Sequence, residues 1–120
     1  MIISSVEFRR FLDDISECFM QRDVGLWRHR ITLPFSIITR EGPVVMDCDS
    51  AVTTNFENYL AACDKMSLDL VSRRAISLED CADGTWLGTY ETRLMANDLL
   101  ATSPYTSTAL LLRDNGVVRM

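Results

Sequence analysis

Along the first half of the chain, apolar residues recur every three or four positions. Phe8, Phe11, Leu12, Ile15 and Phe19 form one stripe behind Ser4-x-x-Glu7, whose hydroxyl and carboxylate have capping-box spacing. This predicts a helix to about Met20. Asp23 is placed to cap a shorter second helix carrying Val24, Trp27 and Ile31, and Pro34 stops any continuation. Phe35 to Thr39 and Val44 to Cys48 then flank Arg40-Glu41-Gly42-Pro43, where glycine and proline favour a reversal and hence a short hairpin. Thr54-x-x-Glu57 is a second capping box, and Phe56, Tyr59, Leu60, Cys63 and Met66 follow on one face of a third helix.

From Leu68 onward the period changes from about 3.6 to two. Leu68, Leu70, Ile76 and Leu78 alternate with Asp69, Arg73, Ser77 and Glu79, and Cys81-Ala82-Asp83-Gly84 supplies a turn. A second strand runs from about Thr85 to Ala96, a loop spans Asn97 to Pro104, and a third strand runs from Tyr105 to Arg113. Asp114-Asn115-Gly116 turns the chain into a last short strand, Val117 to Met120. The predicted order is α-α-ββ-α-ββββ.

Composition narrows the function classes. At 120 residues the chain has the size of one domain with a single core, and no apolar run approaches the ~20 residues of a bilayer span. A net charge of −5 disfavours nucleic acid as a partner, because phosphate binding draws on a basic surface. The start, Met1-Ile2-Ile3-Ser4-Ser5, lacks the basic and long apolar regions of a secretory signal, which points to a cytoplasmic protein. Cys18, Cys48, Cys63 and Cys81 show neither Cys-x-x-Cys nor zinc-ligand spacing and read as reduced thiols. With no phosphate-cradling glycine loop and no nucleophile elbow, no cofactor or metal is expected.

The element order, the Asp83-Gly84 turn before a long strand and the closing Asp114-Asn115-Gly116-Val117-Val118-Arg119-Met120 together resemble the nuclear transport factor 2-like superfamily, including its SnoaL-like polyketide cyclases. The ending is similar to that superfamily's "dG-x-W-x-I" strand, with Val118 where tryptophan is common. The resemblance covers residues 1–120 as one domain. It implies an α+β cone of the cystatin-like type: a bent antiparallel sheet packed on three N-terminal helices, with a cavity on its concave face. It also implies a homodimer through the outer sheet face. Members include isomerases, dehydratases, cyclases and non-catalytic domains, so function rests on the cavity residues.

Side-chain alternation divides the strands into two faces, and their pairing across the Asp83-Gly84 turn depends on whether its loop is even. With an even loop, one face carries Leu70, Ser72, Arg74, Ile76 and Leu78 beside Leu87, Thr89, Glu91, Arg93 and Met95. Its aliphatic majority makes it the expected concave face. Arg74, Glu91 and Arg93 are then its polar end, either as a structural ion pair or as a ligand anchor, with Glu91 as base and an arginine on a developing oxyanion. A four-residue loop sets Arg74 opposite Glu91, a favourable pair, whereas a two-residue loop sets it opposite Arg93 at a cost in stability. The other face carries Arg73 and Ser77 beside Trp86, Gly88, Tyr90 and Thr92, which makes Trp86 and Tyr90 candidates for the dimer contact.

His29, the sole histidine, is a second candidate base, set between Arg28 and Arg30 near the end of the second helix. Tyr59 and Trp27 lie on helical stripes that either fill the core or line the cavity. Asp47 and Asp49 bracket Cys48 and read as a strand end and cap rather than as a metal pair. In ketosteroid isomerase-like relatives a first-helix tyrosine and a strand aspartate do the chemistry, and this chain has neither at those places. The expected function is a small-molecule-binding domain with an apolar cavity. The alternatives are a SnoaL-like enzyme moving a proton on a hydrophobic carbonyl compound, and a non-catalytic dimerising interaction domain.

Overall fold

The ends of α1 (Ser5–Met20) show how local chemistry sets the elements in this computed structural model, which describes residues 2–120. Ser4 Oγ accepts from Glu7 N at 3.1 Å while Glu7 Oε1 accepts from Ser4 N at 3.2 Å, completing the expected capping box. Asp23 Oδ1 accepts from Leu26 N and opens α2 (Val24–His29). The hairpin β1 (Phe35–Thr39) and β2 (Gly42–Met46) turns on Arg40 and Glu41, so Gly42 and Pro43 lie inside the second strand rather than in the turn. Gly42, at φ 111°, supplies a backbone conformation that side chains resist.

The third helix, α3 (Asp49–Lys65), starts five residues before the expected capping box, so Thr54 and Glu57 are interior positions. Cys48 occupies the cap without a side-chain hydrogen bond, and the Asp49 carboxylate sits in the first turn, where the helix dipole favours it. Asp49 also accepts from Arg28 Nε. Asp47 and Asp49 therefore end a strand and begin a helix.

Strands β3 (Leu70–Asp80), β4 (Thr85–Ala96), β6 (Tyr105–Asp114) and β7 (Val117–Arg119) form an antiparallel sheet in the order β3-β4-β6-β7. Within the expected loop, Leu99–Leu100 forms a short β5 paired to the end of β4. Asn115 and Gly116, both at positive φ, make the two-residue turn that the sequence signal predicts. Met120 N donates to Arg30 O and Met120 O accepts from Thr32 N, tying the last residue to the segment ahead of β1.

The core lies between the helices and one face of this sheet. Phe8, Phe11, Leu12 and Ile15 of α1 and Val52, Phe56 and Leu60 of α3 meet Trp86, Ala109, Leu111 and Val118. The α1 ring of Phe8 sits so close over Gly88 that an added Cβ would lie 2.7 Å from it. Two ion pairs brace the edges. Arg113 Nη1 lies 2.8 Å from Glu7 Oε2 and holds that carboxyl down to about 2, and Arg30 Nη2 lies 2.7 Å from Asp14 Oδ2. No helix among the described residues is long and apolar enough to cross a membrane.

The concave face is the opposite of the one expected. Trp86, Gly88, Tyr90, Thr92 and Leu94 of β4 point to the helices beside Val71, Arg73, Ala75 and Leu78 of β3, while Arg74, Glu91 and Arg93 lie on the outer face. The hairpin tip Ala82-Asp83-Gly84 has an odd count, with Cys81 N donating to Thr85 O, but a bulge at Ile76 restores the parity beyond it. Arg74 therefore does stand opposite Glu91, but on the convex side of the sheet.

Candidate functional site

The concave face closes incompletely near the C-terminal ends of α1 and α3. Phe19, Tyr59, Ala62, Cys63 and Met66 from the helices face Val71, Arg73, Leu94 and Tyr105 from the sheet around a cavity of about 110 Å³. Helical spacing puts Tyr59, Ala62, Cys63 and Met66 on one side of α3, next to but distinct from the core stripe of Val52, Phe56 and Leu60. Phe19 is the hub of an aromatic cluster. Its ring stacks on Phe56 at 4.9 Å between centroids and lies 5.6 Å from Trp27 and 5.9 Å from Tyr59.

Arg73 is the one cation in this wall. Its Nη1 donates to Ile15 O at 2.8 Å and to Ser16 Oγ at 3.2 Å, and its guanidinium carbon lies 5.6 Å from the Phe19 ring centroid. Nε is buried and has no acceptor, Nη2 makes no hydrogen bond to a described residue, and Arg73 is in no ion pair among them. Burial pushes the Tyr59 and Tyr90 phenols above their usual range against the opposing pull of Arg73, so both stay protonated at neutral pH. Burial likewise raises the Cys63 thiol.

The residues expected to carry chemistry are dispersed. On the outer face Glu91 takes Arg93 Nε at 2.9 Å and Arg74 Nη2 at 3.7 Å, and these arginines, Arg93 first, hold its carboxyl below the usual range. The three form an exposed ion-pair cluster away from the cavity. His29 is exposed at the end of α2. Trp27 is core, edge-on to Phe35 at 5.8 Å, whereas Tyr59, 45% exposed, does line the cavity. Trp86 and Tyr90 pack inward and leave Leu70, Ile76 and Leu110 as the exposed apolar positions of the outer face. Among the described residues no group of three or more His, Cys, Asp or Glu side chains could hold a metal.

Sequence reasoning missed Arg73, because its face was taken as convex. The signal that points to it is Gly88, an isolated glycine inside a strand pattern, which marks close approach of another element on its own face. A larger depression of about 390 Å³ lies between β2 and α3, lined by Val44, Val45, Ser50, Thr54, Asn55 and Asn58. It is a wide groove on the far side of α3, without a charged side chain, and the narrower, cation-bearing cavity is the better candidate site.

No family model and no curated protein matches the chain. Among solved structures it is similar to a designed nuclear transport factor 2-like protein, with a TM-score of 0.68 at 15% identity, over 93% of this chain and 90% of the other. It is also similar to Aln2 from a Streptomyces species, with a TM-score of 0.66 at 16% identity, over 99% of this chain and 89% of the other. A third is an uncharacterized cystatin-fold protein from Novosphingobium aromaticivorans, with a TM-score of 0.54 at 11% identity, over 91% and 90%. The chain has the nuclear transport factor 2-like, cystatin-like α+β fold.

Proposed function

We propose that this protein is a small-molecule-binding domain whose site is the cavity beneath Arg73. The observation that carries this reading is a cavity at the open end of the cone with a half-free guanidinium in its wall. A guanidinium held on one side by Ile15 O and Ser16 Oγ, with Nη2 bonded to no described residue, is a preset donor for a guest. The walls include no carboxylate and no imidazole, so binding is the better supported activity. Proton transfer as expected from Glu91 or His29 would have to take place on the outer surface, away from the cavity.

Ala62 is exposed on α3 at the cavity rim, so Ala62→Phe adds a ring there without disturbing the core. Ligand-observed NMR against a library of one-ring fragments should give hits on the wild type that are lost, or weakened at least ~10-fold, in Ala62→Phe. Hits unaffected by that change would place binding elsewhere and refute the reading.

We also propose self-association through the outer sheet face, which leaves Leu110 55%, Ile76 50% and Leu70 47% exposed. Light scattering should show a dimer that Leu110→Glu dissociates, whereas a monomer mass at every concentration tested would refute it.

A further inference from the structure

We infer that the cavity selects a small apolar monocarboxylate, held at Nη2 on the free side of the Arg73 guanidinium; this rests on the cavity being the binding site. Nη1 is committed to α1 through Ile15 O and Ser16 Oγ. That anchors the guanidinium; Nε is buried without an acceptor, and Nη2, which makes no hydrogen bond to a described residue, is the donor left for a guest. A charged N–H donor matches a carboxylate oxygen, and its preset orientation spares the ordering that a free arginine would require.

Charge count favours a monoanion. Arg73 is the only cation in the wall and no carboxylate faces it, so one negative charge completes the site, while a phosphate would bring a second charge with no partner. Volume sets the size. A closed dry cavity of ~150 Å³ takes one benzene ring, and this one, about 110 Å³ but open to solvent beside the exposed Tyr59 and Tyr105, suits a short branched chain or a single ring set partly in its mouth rather than a polycyclic ligand. Val71, Leu94, Met66 and the Tyr105 ring supply apolar contact for that body. The Tyr59 phenol, kept protonated by burial, is a further donor at the rim.

The test compares benzoate with benzamide, its neutral counterpart of nearly equal shape, by isotope-edited NMR titration. Benzoate should shift the amides of Val71, Arg73, Leu94 and Tyr105 and bind about 10-fold or more tightly than benzamide, since charge-assisted hydrogen bonds distinguish the two. Arg73→Lys keeps the charge but removes the planar guanidinium that α1 holds in place. It should weaken benzoate about 10-fold and leave benzamide within about two-fold. Equal binding of both probes at those amides would overturn the carboxylate inference while the cavity stood as a binding site. No shift at those amides with either probe, or shifts confined to another surface, would overturn both. The comparison of the two probes on the wild type stands even where Arg73→Lys fails to fold.

Discussion

Gly88→Ala is expected to destabilise the protein by about 1–3 kcal/mol, the range for overpacking a filled core. The sign is the informative part. Gly88 has no positive φ, so alanine is acceptable to the backbone, and in an unobstructed strand interior the change would stabilise by about 0.5–1 kcal/mol. What opposes it is the Phe8 ring, whose Cε1 and Cζ would both lie 2.7 Å from the new Cβ, with Leu111 Cδ1 at 3.0 Å. Phe8 is itself 1% exposed and cannot swing aside into solvent. The two changes should therefore couple. In the Gly88→Ala, Phe8→Leu double variant the loss should be smaller than the sum of the single losses by about 0.5–3 kcal/mol in urea denaturation. Additive losses, or a stabilised Gly88→Ala protein, would mean that α1 does not cross the sheet at this strand.

That crossing is also the point on which the sequence was least legible. Local order came through well. The Ser4–Glu7 box, the Asp23 cap, the Asn115-Gly116 turn and the limits of β4 all follow from spacing, because each depends on neighbours within a few residues. The third helix began earlier than expected because Thr54 and Glu57 have the spacing of a cap but lie inside a helix already started at Asp49. Alternation sorted Arg74, Glu91 and Arg93 onto one face correctly, but the choice between faces is tertiary information. Counting aliphatic residues favoured the wrong side. This sheet covers its concave face with Trp86, Gly88, Tyr90 and Thr92, and leaves Leu70, Ile76 and Leu110 outside. The bulge at Ile76 has no sequence mark of its own, and it cancels the odd hairpin loop only in the half of β3 that precedes it. One inverted choice therefore moved the candidate cation from Arg73 to Arg74 and turned two core aromatics into interface candidates.

Phe56→Ala should cost about 3–5 kcal/mol, a large share of the ~5–15 kcal/mol that holds a domain of this size together. Phe56 is 2% exposed and fills the space between α3 and α1, and its ring lies nearly parallel to that of Phe19, with an interplanar angle of 19°. Removing it leaves a cavity and also withdraws support from Phe19, whose ring the Arg73 guanidinium lies against and which forms part of the binding wall. Tyr59, one turn further along α3, is the control. It touches the same Phe19 ring but is 45% exposed, so Tyr59→Ala should cost about 1 kcal/mol or less and widen the cavity without loosening the helix. Urea midpoints at unchanged m-value should order the proteins as wild type, then Tyr59→Ala, then Phe56→Ala well below both. If Tyr59→Ala were as damaging as Phe56→Ala, α3 would be anchored by its cavity side. A ligand entering there would then have to displace structural packing, and the site could not be open as the proposed function requires.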